Sequence, residues 1–349
     1  MILSFNSKSI LLATAIVFSG YGIVQAQSDT KEVAINFEGW VGSDQFACGE
    51  SYDKVGVSET TITPTDFRLY VSNAALLDED GNAVPIELEQ DGKWQYQNTT
   101  LLDFEDGTGV CDNGTSETRT TVVGYVPQGD YEQLQFTLGV PKNLNHKDAA
   151  IAPSPLNLTS MWWNWQGGYK FLRVDLENDQ VISDVANTVT VNQDQNVEDQ
   201  HSNHSGDKPD IFKGNTDRHS NHQQSNSDHS DHNQAENHTA GDSHLNHGGS
   251  NKGYSVHLGS TGCKDSSQSS LFGCANPNRS QITLADFNPN KNVVIVDLAE
   301  FLATSDLNTN AANTPNGCMS APEDGDCTAI MESLGLSTAS SEQTLFWAE

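Results

Sequence analysis

Apolar and polar residues alternate with a period of two along much of this chain. "VAINF" alternates Val33, Ile35 and Phe37, "FRLYV" alternates Phe67, Leu69 and Val71, "LQFTL" alternates Leu134, Phe136 and Leu138, and "FLRVDL" alternates Leu172, Val174 and Leu176. Side chains of a strand point to opposite faces in turn, so each segment predicts a strand with one buried face. "DEDGN" at 78–82 and "PQGD" at 127–130 supply the turns between them. Later in the chain "YSVHL" and "NVVIVDL" read as further strands, and "TAIMESLG" as a short helix. In "YSVHL" the alternation places Tyr254, Val256 and Leu258 on one face, with Ser255 and His257 on the other.

Two stretches break the pattern. The first, residues 1–26, has Lys8, an apolar run from Ile10 to Phe18 and a small-residue exit at Ala26. It is expected to be a secretory signal peptide, too short in its apolar run for a membrane span. No cysteine follows the cut, so no lipid or membrane anchor is expected. The second, 192–252, consists of Asn, Ser, Asp, Gln, Gly and His with almost no aliphatic side chains. Such a segment cannot bury enough apolar area to offset its ordering entropy, and it reads as a disordered insertion. The expectation is a mainly β, sandwich-like single domain, with residues 27–191 as its first part and 253–349 as its second. Two small β domains joined by the insertion are the alternative.

Export makes the cysteines informative. Cys48, Cys111, Cys263, Cys274, Cys318 and Cys327 form an even set in an oxidising compartment, which favours disulfides. Proximity in sequence suggests Cys263 with Cys274 and Cys318 with Cys327, leaving Cys48 with Cys111; other connectivities stay open. The spacings are too long for CxxC redox or structural zinc motifs. The formal charge of −30 excludes nucleic acid as a partner and favours cations or a basic protein surface.

The candidate chemistry lies in histidine and tryptophan. Nine of the eleven histidines fall in the insertion, and eight form H-x-x-H pairs: His201 with His204, His219 with His222, His229 with His232, and His244 with His247. Flexible pairs of this kind chelate zinc or copper without a preformed fold. The remaining two, His146 and His257, sit among residues expected to be ordered. "SMWWNWQGG" gathers Trp162, Trp163 and Trp165 within four positions. Strand spacing would point Trp163 and Trp165 to one face and Trp162 to the other. Packing accounts for such residues; so would redox chemistry, because indole is readily oxidised. No G-x-S-x-G, HExxH, phosphate-binding glycine loop or CxxCH haem motif is present, and the chain is not expected to be an enzyme.

Seven blocks in order, "INFEGWVGSDQFACG", "FRLYVSNAALL", "LLDFEDGTGVCDNGT", "LGVPKNLNHKDAAIAPSPLNLTSMWWNWQGGYKFLRVDL", "HLGSTGC", "CANPNR" and "NGCMSAPEDGDC", resemble the metallo-mystery pair four-Cys motif proteins, the MbnP-like family. The resemblance implies a bacterial periplasmic or secreted copper-binding protein acting in copper acquisition or homeostasis. Its partner would be a dihaem c-type cytochrome related to cytochrome c peroxidases, which uses peroxide to oxidise a tryptophan to kynurenine. The family's M-x-W-x-W pattern falls on Met161, Trp163 and Trp165, which makes Trp163 and Trp165 the candidates for oxidation. His146 and His257 become candidate Cu(I) or Cu(II) ligands, with Met161 and Met319 as further thioether donors. The alternatives are an exported structural or adhesive β domain that buffers zinc or copper on its histidine arm, and a copper oxidase.

Overall fold

The computed structural model describes residues 29–179, 183–185, 253–264, 273–337 and 342–349. The expected signal peptide and histidine-rich insertion lie outside the described residues, as do all four H-x-x-H pairs. Two β-sheets enclose a common core. In the first, β1 (Thr30–Val41) pairs antiparallel with β3 (Thr121–Pro127) and parallel with β11 (Val294–Asp297), and β12 (Phe346–Ala348) closes against β11. In the second, β2 (Thr60–Leu77) lies between β4 (Gln133–Leu138) and β6 (Gly168–Asn178). Beyond them, β10 (Ser280–Leu284) flanks β4 and β7 (Tyr254–Gly259) flanks β6.

Strands from before and after the insertion therefore share both sheets. Val33, Ile35 and Phe37 point from β1 into the core, as do Leu134, Phe136 and Leu138 from β4. The sheets meet where the Phe136 ring packs edge-on against Phe37 at 5.8 Å and Phe346 at 5.1 Å. Gly39 lets β1 approach closely, since a Cβ there would stand 3.1 Å from both Phe67 and Phe104.

The turns follow their sequences. Asp78 Oδ1 accepts from the backbone N–H groups of Asp80 and Asn82, bending "DEDGN" between β2 and the short strand Ala83–Pro85. One expected strand is shorter than "NVVIVDL" suggests, running only from Val294 to Asp297. There the Asp297 carboxylate accepts from Ala299 N–H and starts α1 (Leu298–Leu302), whose Glu300 completes a D-x-x-E capping pattern. The helix read in "TAIMESLG" is α2 (Cys327–Ser333).

Three disulfides join Cys48 to Cys111, Cys263 to Cys274, and Cys318 to Cys327. The last ties α2 to the strand Gly317–Cys318 at the edge of the second sheet. Cys263 and Cys274 face one another across a separate ribbon of β8 (Thr261–Lys264) and β9 (Gly273–Asn276). Among the described residues, no helix is long and apolar enough to cross a membrane.

Candidate functional site

The tryptophans form a small hairpin at the start of β6. Strand β5 (Trp162–Asn164) pairs with it, Trp162 opposite Tyr169 and Asn164 opposite Gly168. Asn164 Oδ1 accepts from the N–H groups of Gln166 (2.9 Å) and Gly167 (2.7 Å), so the chain turns at once and Trp165 rides on the turn. This corrects the expectation that Trp163 and Trp165 share a strand face, because the strand ends between them. Three environments result. Trp162 packs on the core with its indole N–H buried and unpaired among the described residues. Trp163 is half-buried, its ring lying on Gly259, where a Cβ would come within 2.4 Å. Trp165 is 54% exposed.

His146 reaches the hairpin at its turn. Its Nδ1 lies 3.1 Å from the Trp165 carbonyl oxygen, and a carbonyl only accepts, so Nδ1 carries the proton. Nε2 is then the lone-pair nitrogen, 3.3 Å from the donating Asn145 amide and 3.5 Å from Cys274 Sγ. Neighbouring Asn145 pins the same loop, its Oδ1 accepting from Tyr169 N–H, and Gly168 leaves room for that contact. Burial lowers the His146 pKa, the Trp165 carbonyl partly restores it, and the Arg279 charge lowers it again. Neutral imidazole, the form that binds metals, is favoured.

His257 is on the face of β7 expected from alternation, two residues before the glycine that Trp163 covers. Its Nε2 donates to Asp175 Oδ1 at 2.8 Å, which leaves Nδ1 as the lone-pair nitrogen. Burial lowers the His257 pKa, the Asp175 hydrogen bond and charge raise it in part, the Lys170 and Arg173 charges lower it again, and the net direction is down. Asp175 is itself raised by burial, but its bond to His257 and the nearby cationic charges outweigh this and hold it well below the usual carboxylate range.

A buried charge network supports both segments, and the sequence reading missed it. Asp66 and Arg68 on β2 stand opposite Asp175 and Arg173 on β6, which in turn stand opposite Ser255 and His257 on β7. Arg68 pairs with Asp66, lies 3.7 Å from Glu105, and donates to Ser160 Oγ. Arg173 bridges Asp66 (3.1 Å) and Asp175 (2.6 Å). The Ser160 carbonyl accepts from Lys170 Nζ at 2.9 Å and from Arg173 at 3.3 Å. One set of ion pairs thus anchors the residue that leads into Met161 and Trp162 and, at its other end, the His257 ring. Its signal was the D-x-R in β2 matched by R-x-D in β6, charges at alternate positions among the apolar residues of "DFRLYV" and "FLRVDL".

The candidate thioethers divide. Met161 is fully buried in the core, while Met319 is half-buried. Of the other expected residues, His146 meets Trp165, and Trp163 lies against Gly259 on the strand that carries His257.

The fold is a disulfide-stapled β-sandwich that carries a tryptophan hairpin, with His146 at its turn. The family model described as MbnP matches residues 30–209, and this chain belongs to the MbnP family. The chain is also similar to the solved structure of MbnP from Methylosinus trichosporium, with a TM-score of 0.65 and 25% identity over 92% of this chain and 98% of that one. Comparison with curated proteins returns no match.

Proposed function

We propose that this is an exported, non-enzymatic copper-binding protein whose tryptophan hairpin is oxidised by a dihaem peroxidase-like cytochrome, in the service of copper acquisition or homeostasis. Membership of the MbnP family supports a copper-associated role. The observation that carries the finer reading is the turn at Asn164, which holds Trp165 in solvent while its carbonyl anchors His146. An electron leaves an exposed indole for a docked haem edge more readily than a buried one, so Trp165 is the first candidate and Trp163 the second. The overall change balances as one tryptophan and two peroxides giving kynurenine, formic acid and water. Two oxidising equivalents per peroxide pass through the partner, and the kynurenine aniline nitrogen is the new donor.

The residues present suit copper. His146 Nε2 and His257 Nδ1 are lone-pair nitrogens whose tautomers are fixed by the Trp165 carbonyl and Asp175, the usual outer support of a metal-bound imidazole. Imidazole and aniline nitrogens together suit Cu(I) or Cu(II). A chain of charge −30 would attract a partner with a basic haem-edge surface.

The second reading, metal buffering by the H-x-x-H pairs, is favoured by their repeated spacing in 201–247. Deleting 192–252 separates the two. Titration with copper should then show the low-affinity capacity gone and one tighter site retained in protein made with its partner. Loss of all copper binding would leave only the buffering role.

A further inference from the structure

The disulfides differ in their surroundings. Cys48–Cys111 and Cys318–Cys327 each contain a fully buried cysteine, Cys111 and Cys318. Cys263 and Cys274 are both half-exposed, and they staple a two-stranded ribbon rather than a sheet edge to the core. Accessible bridges are the ones that exchange with external thiols. This bridge also has a metal-binding side chain against it. His146 Nε2 is 3.5 Å from Cys274 Sγ, and the three donor atoms of His146, Cys263 and Cys274 all lie within 4.8 Å of one another.

We propose that Cys263, Cys274 and His146 form an alternative metal site, sharing His146 with the copper site proposed above, closed while the cysteines are bridged and opened by reduction, that takes Cu(I). A dithiol donor supplies the two electrons. One donor thiolate attacks a bridge sulfur, the S–S bond breaks, and a mixed disulfide forms. The second donor thiol displaces it, so the donor leaves as a disulfide and its two protons end on Cys263 and Cys274. Cu(I) then replaces those two protons. Two thiolates and one imidazole are a soft donor set matched to Cu(I). In a three-coordinate arrangement the sulfurs part to roughly 4 Å, a small movement for a ribbon whose covalent tie has been cut. His146 keeps its Nδ1–H on the Trp165 carbonyl throughout, so the nitrogen that faces the sulfurs is the one with the lone pair. This site needs no oxidised tryptophan, but it takes the same His146 Nε2 as the copper site proposed above, so His146 serves one or the other, and protein with unmodified tryptophans tests this site apart from that reading.

The test uses the full chain made without a haem partner, with its tryptophans unmodified. The protein is treated anaerobically with limiting dithiothreitol, desalted, and mapped by differential alkylation and peptide mass spectrometry. It is then titrated with Cu(I) while the ultraviolet thiolate-to-copper charge-transfer band is followed, a signal that the imidazoles of the insertion do not produce. Cys263–Cys274 should open first, and the band should saturate at one equivalent of Cu(I). His146→Gln should open the same bridge yet hold Cu(I) at least ~10-fold more weakly. The double variant Cys263→Ser with Cys274→Ser should show no band, with circular dichroism confirming its fold. Preferential opening of another bridge, an opened 263–274 pair that gives no band, or a His146→Gln affinity equal to the parent would each overturn the proposal.

Discussion

The two faces of β2, β6 and β7 share one backbone and follow different rules. On one face Leu69, Leu172, Val174 and Val256 are withdrawn into the common core. On the other, Asp66 and Arg68 are just as fully withdrawn, but as charges with partners, and Arg173, Asp175 and His257 continue the network toward the surface. Apolar burial is non-directional and holds the sandwich together. Buried charge is tolerated only when each group is paired, so its geometry is fixed. What the second face fixes is the position of Ser160 and of the His257 ring, and with them the tryptophan hairpin.

The largest effect should come from breaking the charged face. Arg68→Met leaves the Glu105 carboxylate buried without its cation and Asp66 with Arg173 alone, and should cost about 3–5 kcal/mol in urea denaturation. A cost below ~1 kcal/mol would mean that the face is solvated. Leu172→Ala, one strand across on the apolar face, should cost about 2–5 kcal/mol through transfer and cavity terms. The comparison sharpens in amide hydrogen exchange near neutral pH. Arg68→Met should loosen the 160–168 segment selectively, whereas Leu172→Ala should lower protection across the second sheet.

A smaller effect follows from Asp103, buried beside this network. Burial first, and then the Glu105 charge, push its pKa up to about 8. The folded state therefore binds its proton more tightly than the unfolded chain, in which an aspartate titrates near ~4. Protons lost between those two values are lost at the expense of the fold, so stability should fall as pH rises from about 4 to about 8. Asp103→Asn should flatten that part of a stability profile measured by urea denaturation; an unchanged slope would remove Asp103 as its source. The smallest effect on stability belongs to Trp165→Phe, within about 0.5 kcal/mol for a side chain this exposed.

Much of the apolar core was legible because period-two alternation reports burial directly, and Phe37, Phe136 and Val174 are where it places them. The disulfide pairing suggested by proximity is the one formed. Alternation also put His257 on the non-core face, but it could not say what that face meets. Asp66, Arg173 and His257 come from strands far apart in sequence, and their pairing depends on register, which no single segment encodes. Two misses were readable from local chemistry. Asn164 followed by Gly167 and Gly168 is turn composition, and it ends the tryptophan strand before Trp165. Asp297 with Glu300 is a helix start inside what looked like one strand.

The central claim is that the network-held hairpin exists to present a tryptophan for oxidation. Peptide mass spectrometry of residues 154–176 from protein made together with the proposed haem partner tests it most directly. The account predicts a gain of about 4 Da, the exchange of one carbon for one oxygen, located on Trp165 or Trp163, and its shift or loss in Trp165→Phe. An unmodified 154–176 peptide from cells that contain the active partner would contradict it.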